Sequence, residues 1–147
     1  MNVHGAYLPT NEPRLHSPDP SGYIRGALVF MFAVAQNAPT GLSLHHVLPT
    51  IDTGEIIDTC PVPISKGADF SDLIVSVVHS TAGLWVKGLQ EWDGTSTGVK
   101  QDDSMFPDAE CRRAPKTPES MLALEASVST MLAGDEYKWF APETSNS

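Results

Sequence analysis

Three polar residues have the types and spacing from which chemistry at a carbonyl carbon can be built. Asn2 and His4 alternate, so on an extended segment their side chains project from one face. Asp52 sits in a turn bounded by Gly54, shortly after a stretch that reads as a strand. An amide that donates to a developing oxyanion, an imidazole that carries a proton and a carboxylate that orients the imidazole form a working set for acyl transfer. Taken alone the trio has little specificity, because Asn, His and Asp also occupy solvated loops in most proteins.

The elements that must position these residues follow from periodicity and punctuation. Residues 1–21 read as loop, punctuated by Pro9, Pro13, Pro18 and Pro20. Tyr23–Gln36 is apolar nearly all round and predicts a buried helix, with Ser21 available as its cap and Asn37-Ala38-Pro39 as its stop. Leu42–Val47 predicts a short strand, and Ile56–Ile64 a second one that Pro61 and Pro63 confine to an edge or bend. Between them, Leu48–Glu55 is turn-forming. Asp69–Trp92 is the clearest helix, its broad apolar face set by Leu73, Val77, Leu84 and Leu89, with Asp69 or Ser71 as cap and Asp93-Gly94 as its end. Thr95–Pro118 is polar and reads as an irregular connection. Glu119–Ala133 predicts an amphipathic helix stopped by Gly134, and Ala141–Ser147 a frayed tail. Two strands and three helices make a thin core, which points to a piece of a larger domain.

The 147 residues carry a formal net charge of −9. Such a chain is repelled by phosphate backbones and anionic membrane surfaces, so neither nucleic acid nor membrane is expected as a partner. The apolar run Gly26–Ala35 is too short to span a bilayer, and Met1-Asn2-Val3-His4 lacks the basic start of a secretory signal. Cys60 and Cys111 have no metal-ligand spacing and read as reduced thiols, Cys60 half-buried in a strand. A cytoplasmic location is expected. His45 and His46 are adjacent and would face opposite ways on a strand, so they do not simply share a metal ion, and no metal is expected. His16 and His79 read as surface positions, Trp85 and Trp92 as packing anchors.

The words around the trio are more specific than the trio itself. Asn2-Val3-His4-Gly5-Ala6-Tyr7-Leu8-Pro9 resembles the N-x-H-x-x-x-L-P signature of folate-dependent formyltransferases. Gly41-Leu42-Ser43-Leu44-His45-His46-Val47 followed by Ile51-Asp52-Thr53-Gly54-Glu55-Ile56-Ile57 resembles that family's second signature, in which a strand delivers an aspartate-glycine turn to the active site. Val62-Pro63-Ile64, the Gly67-Ala68-Asp69 turn and the long helix continue the match in order, so it runs from Asn2 to about Gly94. Two departures stand out. The interval from Arg14 to Thr40 is longer than the family pattern, and the Arg-Gly pair expected soon after Leu8-Pro9 is not met there.

The resemblance implies an α/β fold, part of a Rossmann-like doubly wound formyltransferase domain without its N-terminal strands. It divides the chain into a catalytic segment over 1–94, a connection over 95–118, and a C-terminal helix and tail over 119–147. It makes Asn2, His4 and Asp52 the catalytic residues and Leu48, Pro49, Thr50, Ile51 and Asp52 the lining of the folate pocket, His45 being a core or supporting residue. The implied reaction moves a formyl group from 10-formyltetrahydrofolate to a small-molecule primary amine. Glycinamide ribonucleotide, and with it purine biosynthesis, is the first acceptor expected from the Ser-Leu-His-His-Val strand. Two alternatives stay open: hydrolysis of the same donor, and a truncated remnant or half of a split protein, in which an oligomer or partner chain covers the missing part.

Overall fold

The computed structural model describes residues 1–94, 97–105 and 111–143, with the backbone alone at Cys111. Strand β1 is Asn2–His4, β2 is Arg25–Gly26, β3 is Gly41–His45, β4 is Ile56–Pro61 and β5 is Cys111–Arg112. The helices are α1 (Val29–Ala35), α2 (Phe70–Glu91) and α3 (Pro118–Ala133). The architecture is α/β, with one three-stranded sheet in the order β1-β3-β4. Both of its pairings are antiparallel, while the two-residue strands β2 and β5 pair in parallel as a separate ladder.

Register decides what each sheet face carries. Val3 lies opposite Leu44, Asn2 opposite His45 and His4 opposite Ser43. Alternation therefore sends Val3, Leu42 and Leu44 one way and Asn2, His4, Ser43 and His45 the other. Leu42 and Leu44 enter the main core with Met31 and Val34 of α1, Leu73 and Leu84 of α2, and Leu124, Val128 and Leu132 of α3. Apolar burial of this kind stabilises by roughly 25 cal/mol per Å² removed from water. The opposite, polar face is roofed by the segment after β1. Ser43 Oγ donates to Ala6 O at 2.9 Å and accepts from Leu8 N at 3.1 Å.

The long helix starts where its cap predicts. Asp69 accepts from Asp72 N at 2.9 Å, and Asp72 answers by accepting from Asp69 N at 3.0 Å. Gly88 lets α2 approach β3 closely, since a Cβ there would run into the Leu44 side chain. Helix α3 starts on the same device, built from Thr117 and Ser120. Beyond it the chain is tied back: Trp139 Nε1 donates to Asn37 O at 3.0 Å and Ala141 N to Ile64 O at 2.8 Å. Residues 144–147 of the expected frayed tail lie outside the described residues.

The helix expected over Tyr23–Gln36 is corrected to Val29–Ala35. Tyr23 and Ile24 are buried as extended backbone: Tyr23 bridges to Tyr7, and Ile24 N donates to Tyr7 O at 3.3 Å. Gly26 (φ 122°) and Leu28 (φ 54°) then break any helical path. Ser21 belongs to a short 3₁₀ turn at Pro20–Gly22, capped by Asp19, and not to α1. Ile24 is buried on the extended segment and Val29, Met31 and Val34 on α1, while Ala27 and Leu28 between them are exposed.

Candidate active site

Strand β1 carries Asn2 and His4 on the polar face, and the turn between β3 and β4 brings Asp52 to them. His4 is buried, and its Nε2 lies 2.6 Å from Ile24 O. A carbonyl only accepts, so Nε2 holds a proton and Nδ1 is the nitrogen left to exchange one. Nδ1 faces Asp52 Oδ1 at 3.5 Å. The other carboxylate oxygen accepts from Gly26 N at 3.2 Å. Asp52 itself is held at φ 53°, a left-handed conformation that aspartate tolerates better than most residues.

Burial lowers the His4 pKa below its ordinary value of 6.5, the Asp52 carboxylate pulling the other way. A neutral imidazole beside a carboxylate is thereby poised: a proton arriving at Nδ1 recovers the attraction to Asp52. His45 approaches the same oxygen, its Nε2 3.9 Å from Asp52 Oδ1, with Nδ1 donating to His46 O at 2.9 Å. The two imidazole rings meet edge to face at 6.2 Å. Buried Nε2 of His45 has no hydrogen-bond partner among the described residues.

Asn2 is exposed, and it opens with His4 and Asp52 onto one cavity of about 280 Å³ whose rim includes Gly26, Leu28 and Phe30. The structure therefore brings all three sequence-predicted catalytic residues to a single concavity. The predicted folate-binding loop is a surface turn: Leu48, Pro49, Thr50 and Ile51 are exposed, with Thr50 and Thr53 joined through their hydroxyls. Val47 and Leu48 also wall a second cavity of about 590 Å³, together with Thr53, Glu55, Lys100 and Gln101. That lies within the usual range of small-molecule pockets. Among the described residues, no group of three or more His, Cys, Asp or Glu side chains is gathered for a metal ion. Nor is any helix long and apolar enough to cross a membrane. Cys60 is a half-buried free thiol on β4, its pKa raised first by burial.

Two contributors escaped the sequence reading. Gly26 is one, although its signal was present: the Arg-Gly pair sought after Leu8-Pro9 occurs at Arg25-Gly26, displaced by the intervening segment. The other is Gln101, on the segment expected to be an irregular connection.

No family model and no curated protein matches the chain. Solved structures do. The formyltransferase PseJ from Anoxybacillus kamchatkensis, in complex with UDP-4,6-dideoxy-4-formamido-L-AltNAc and tetrahydrofolate, is 20% identical with a TM-score of 0.63, over 89% of this chain and 62% of that one. An N-formyltransferase from Helicobacter canadensis, in complex with folinic acid and dTDP-3-aminofucose, is 21% identical with a TM-score of 0.56, over 86% of this chain and 48% of that one. WlaRD, a sugar 3N-formyltransferase solved with dTDP and 5-N-formyl-THF, is 19% identical with a TM-score of 0.56, over 95% of this chain and 48% of that one. At these identities the likeness establishes the fold: part of the α/β fold of formyltransferases. The chain spans between about half and three fifths of the length of these structures.

Proposed function

We propose that the chain carries the catalytic site of a formyl transfer from 10-formyltetrahydrofolate to a primary amine. The observation that carries the reading is the convergence of Asn2, His4 and Asp52 on one cavity, with His4 Nδ1 turned to the carboxylate at 3.5 Å, in a fold shared with formyltransferases.

In this reading the amine nitrogen attacks the formyl carbon. The bond from that carbon to N10 of the donor breaks, and the proton lost by the amine ends on N10. Asn2 donates its side-chain N–H to the formyl oxygen as negative charge builds there. His4 takes the amine's proton at Nδ1 as the nitrogen attacks, and Asp52 stabilises the imidazolium so formed. The same proton leaves Nδ1 for N10 as the bond from carbon to N10 breaks. Asp52 also helps, directly or through a water, to pass the proton from amine to N10. The turn from Leu48 to Asp52 holds the pterin ring of the donor.

The acceptor is a small-molecule amine. Amino sugars carried on a nucleotide are the first class to try, because one structurally similar enzyme was solved with dTDP-3-aminofucose and another with a nucleotide-linked formamido sugar. Glycinamide ribonucleotide, the acceptor expected from the sequence resemblance, belongs in the same assay. The purified chain is incubated with 10-formyltetrahydrofolate and each amine, and release of tetrahydrofolate is followed. Release that depends on an amine supports transfer. Release without any amine makes water the acceptor and the protein a hydrolase. No release by a folded chain defeats both.

A further inference from the structure

We infer that Gln101 is a positioning residue that holds the Asp52 carboxylate against His4. Its side-chain nitrogen donates to two carbonyls of the Asp52 turn, Asp52 O and Gly54 O, each at 2.8 Å. Its oxygen accepts from Arg25 Nη2 at 2.6 Å. These three contacts fix the amide orientation, since the reverse assignment would set an oxygen against two carbonyls and a nitrogen against a guanidinium.

The segment bearing Gln101 is pinned on both sides. Val99 and Ile56 exchange backbone hydrogen bonds at 2.7 and 2.8 Å, and Asp102 N donates to Pro9 O at 2.9 Å. Asn11 Nδ2 reaches Asp102 Oδ2 at 2.6 Å, and Arg25 pairs with Asp103 at 2.7 Å. Gln101 is thus a fixed point from which a left-handed turn at Asp52 can be held. It also closes a loop of contacts: Arg25 orients its amide, and the next residue, Gly26, donates to Asp52 Oδ2. Backbone and carboxylate of Asp52 are held from the same two places.

What the carboxylate does rests on the formyl-transfer reading; where it stands does not. The test is accordingly a titration of the His4 ring in the full chain by histidine NMR, with neither folate nor amine present. The charged and titratable groups that act on that ring are Asp52, His45 and Arg25, and Asp52 raises its proton affinity. Gln101→Ala is predicted to shift the His4 midpoint downward, in the same direction as Asp52→Asn and by less. In the double variant, Gln101→Ala is predicted to add nothing to Asp52→Asn. Gln101→Met keeps the side chain's length while removing only the amide, so it gives the same answer should the alanine variant fail to fold. An unchanged His4 midpoint in a folded Gln101 variant overturns the inference. A shifted midpoint in a chain that transfers no formyl group upholds the positioning and refutes the reaction.

Discussion

The carboxylate of Asp52 meets His4 at Nδ1, 3.5 Å away, while Nε2 of the same ring is committed to the carbonyl of Ile24. One ring nitrogen anchors and the other is free to exchange a proton. The relation joins residues 48 positions apart (52 minus 4), so it exists only in the folded chain.

Stability should respond to pH through His4. In the unfolded chain the imidazole titrates near its ordinary 6.5, and in the folded chain burial lowers that value. Between the two, the unfolded chain holds more protons, so stability rises with pH across this window. It is lost as pH falls below about 6.5 toward the folded value. Urea midpoints measured from pH 8 to pH 5 should fall, and His4→Gln should flatten this part of the profile. A wild-type profile with no loss below pH 6.5 contradicts the burial argument.

Asn2 is exposed, so Asn2→Ala should leave the thermal midpoint essentially unchanged. Its effect should appear in turnover. Loss of one oxyanion donor costs about 10²- to 10³-fold in kcat, with KM for the folate donor little affected. An equal loss carried by KM alone would remove Asn2 from the reaction.

Two glycines should resist substitution for different reasons. Gly41→Ala drives a methyl group into the ring of Tyr7 and should cost about 1–3 kcal/mol as overpacking. Gly26→Ala meets the carbonyl of Arg112 and forces a side chain onto φ 122°, so it should also displace the N–H that holds Asp52. Denaturation measures both costs, and histidine NMR should show His4 disturbed by Gly26→Ala well beyond the effect of Gly41→Ala.

Leu132 on α3 is 2% exposed and packs in the same core as Leu44 and Leu84. Leu132→Ala should therefore destabilise the whole chain by about 2–5 kcal/mol. One cooperative unfolding transition, shifted as a unit, is the predicted result. Separate loss of α3 helicity with the rest intact would show the helix to be an independent appendage.

Much of this site was legible in the sequence because its signals are local. The two-residue alternation placed Asn2 and His4 on one face of an extended segment, although residues 1–21 read as loop and the strand β1 itself was missed. The Asp52-Thr53-Gly54 turn follows β3 as expected. Asp69 marked the start of α2 through capping chemistry that depends on a few neighbours. Gly134 falls at the end of α3 with extended rather than left-handed backbone, so its place was right and its expected C′ role was not. Tyr23–Leu28 misled because apolarity reports burial and not conformation: Ile24 is fully buried, yet it is extended against Tyr7. Gln101 left no trace, since its partners Asp52 and Gly54 lie 49 and 47 residues away and its polarity is that of any loop. The packing of α3 against α1 was equally invisible, because an apolar helix face does not name what covers it.

Formyl transfer at the Asn2–His4–Asp52 cavity requires that the cavity recognise folate. Calorimetric titration of the purified chain with a stable 10-formyl-folate analogue tests it, with Asp52→Ala as the control. Saturable binding that the control loses while remaining folded is the predicted result. A folded wild-type chain that takes up no analogue, or a control that binds it equally well, would contradict the account.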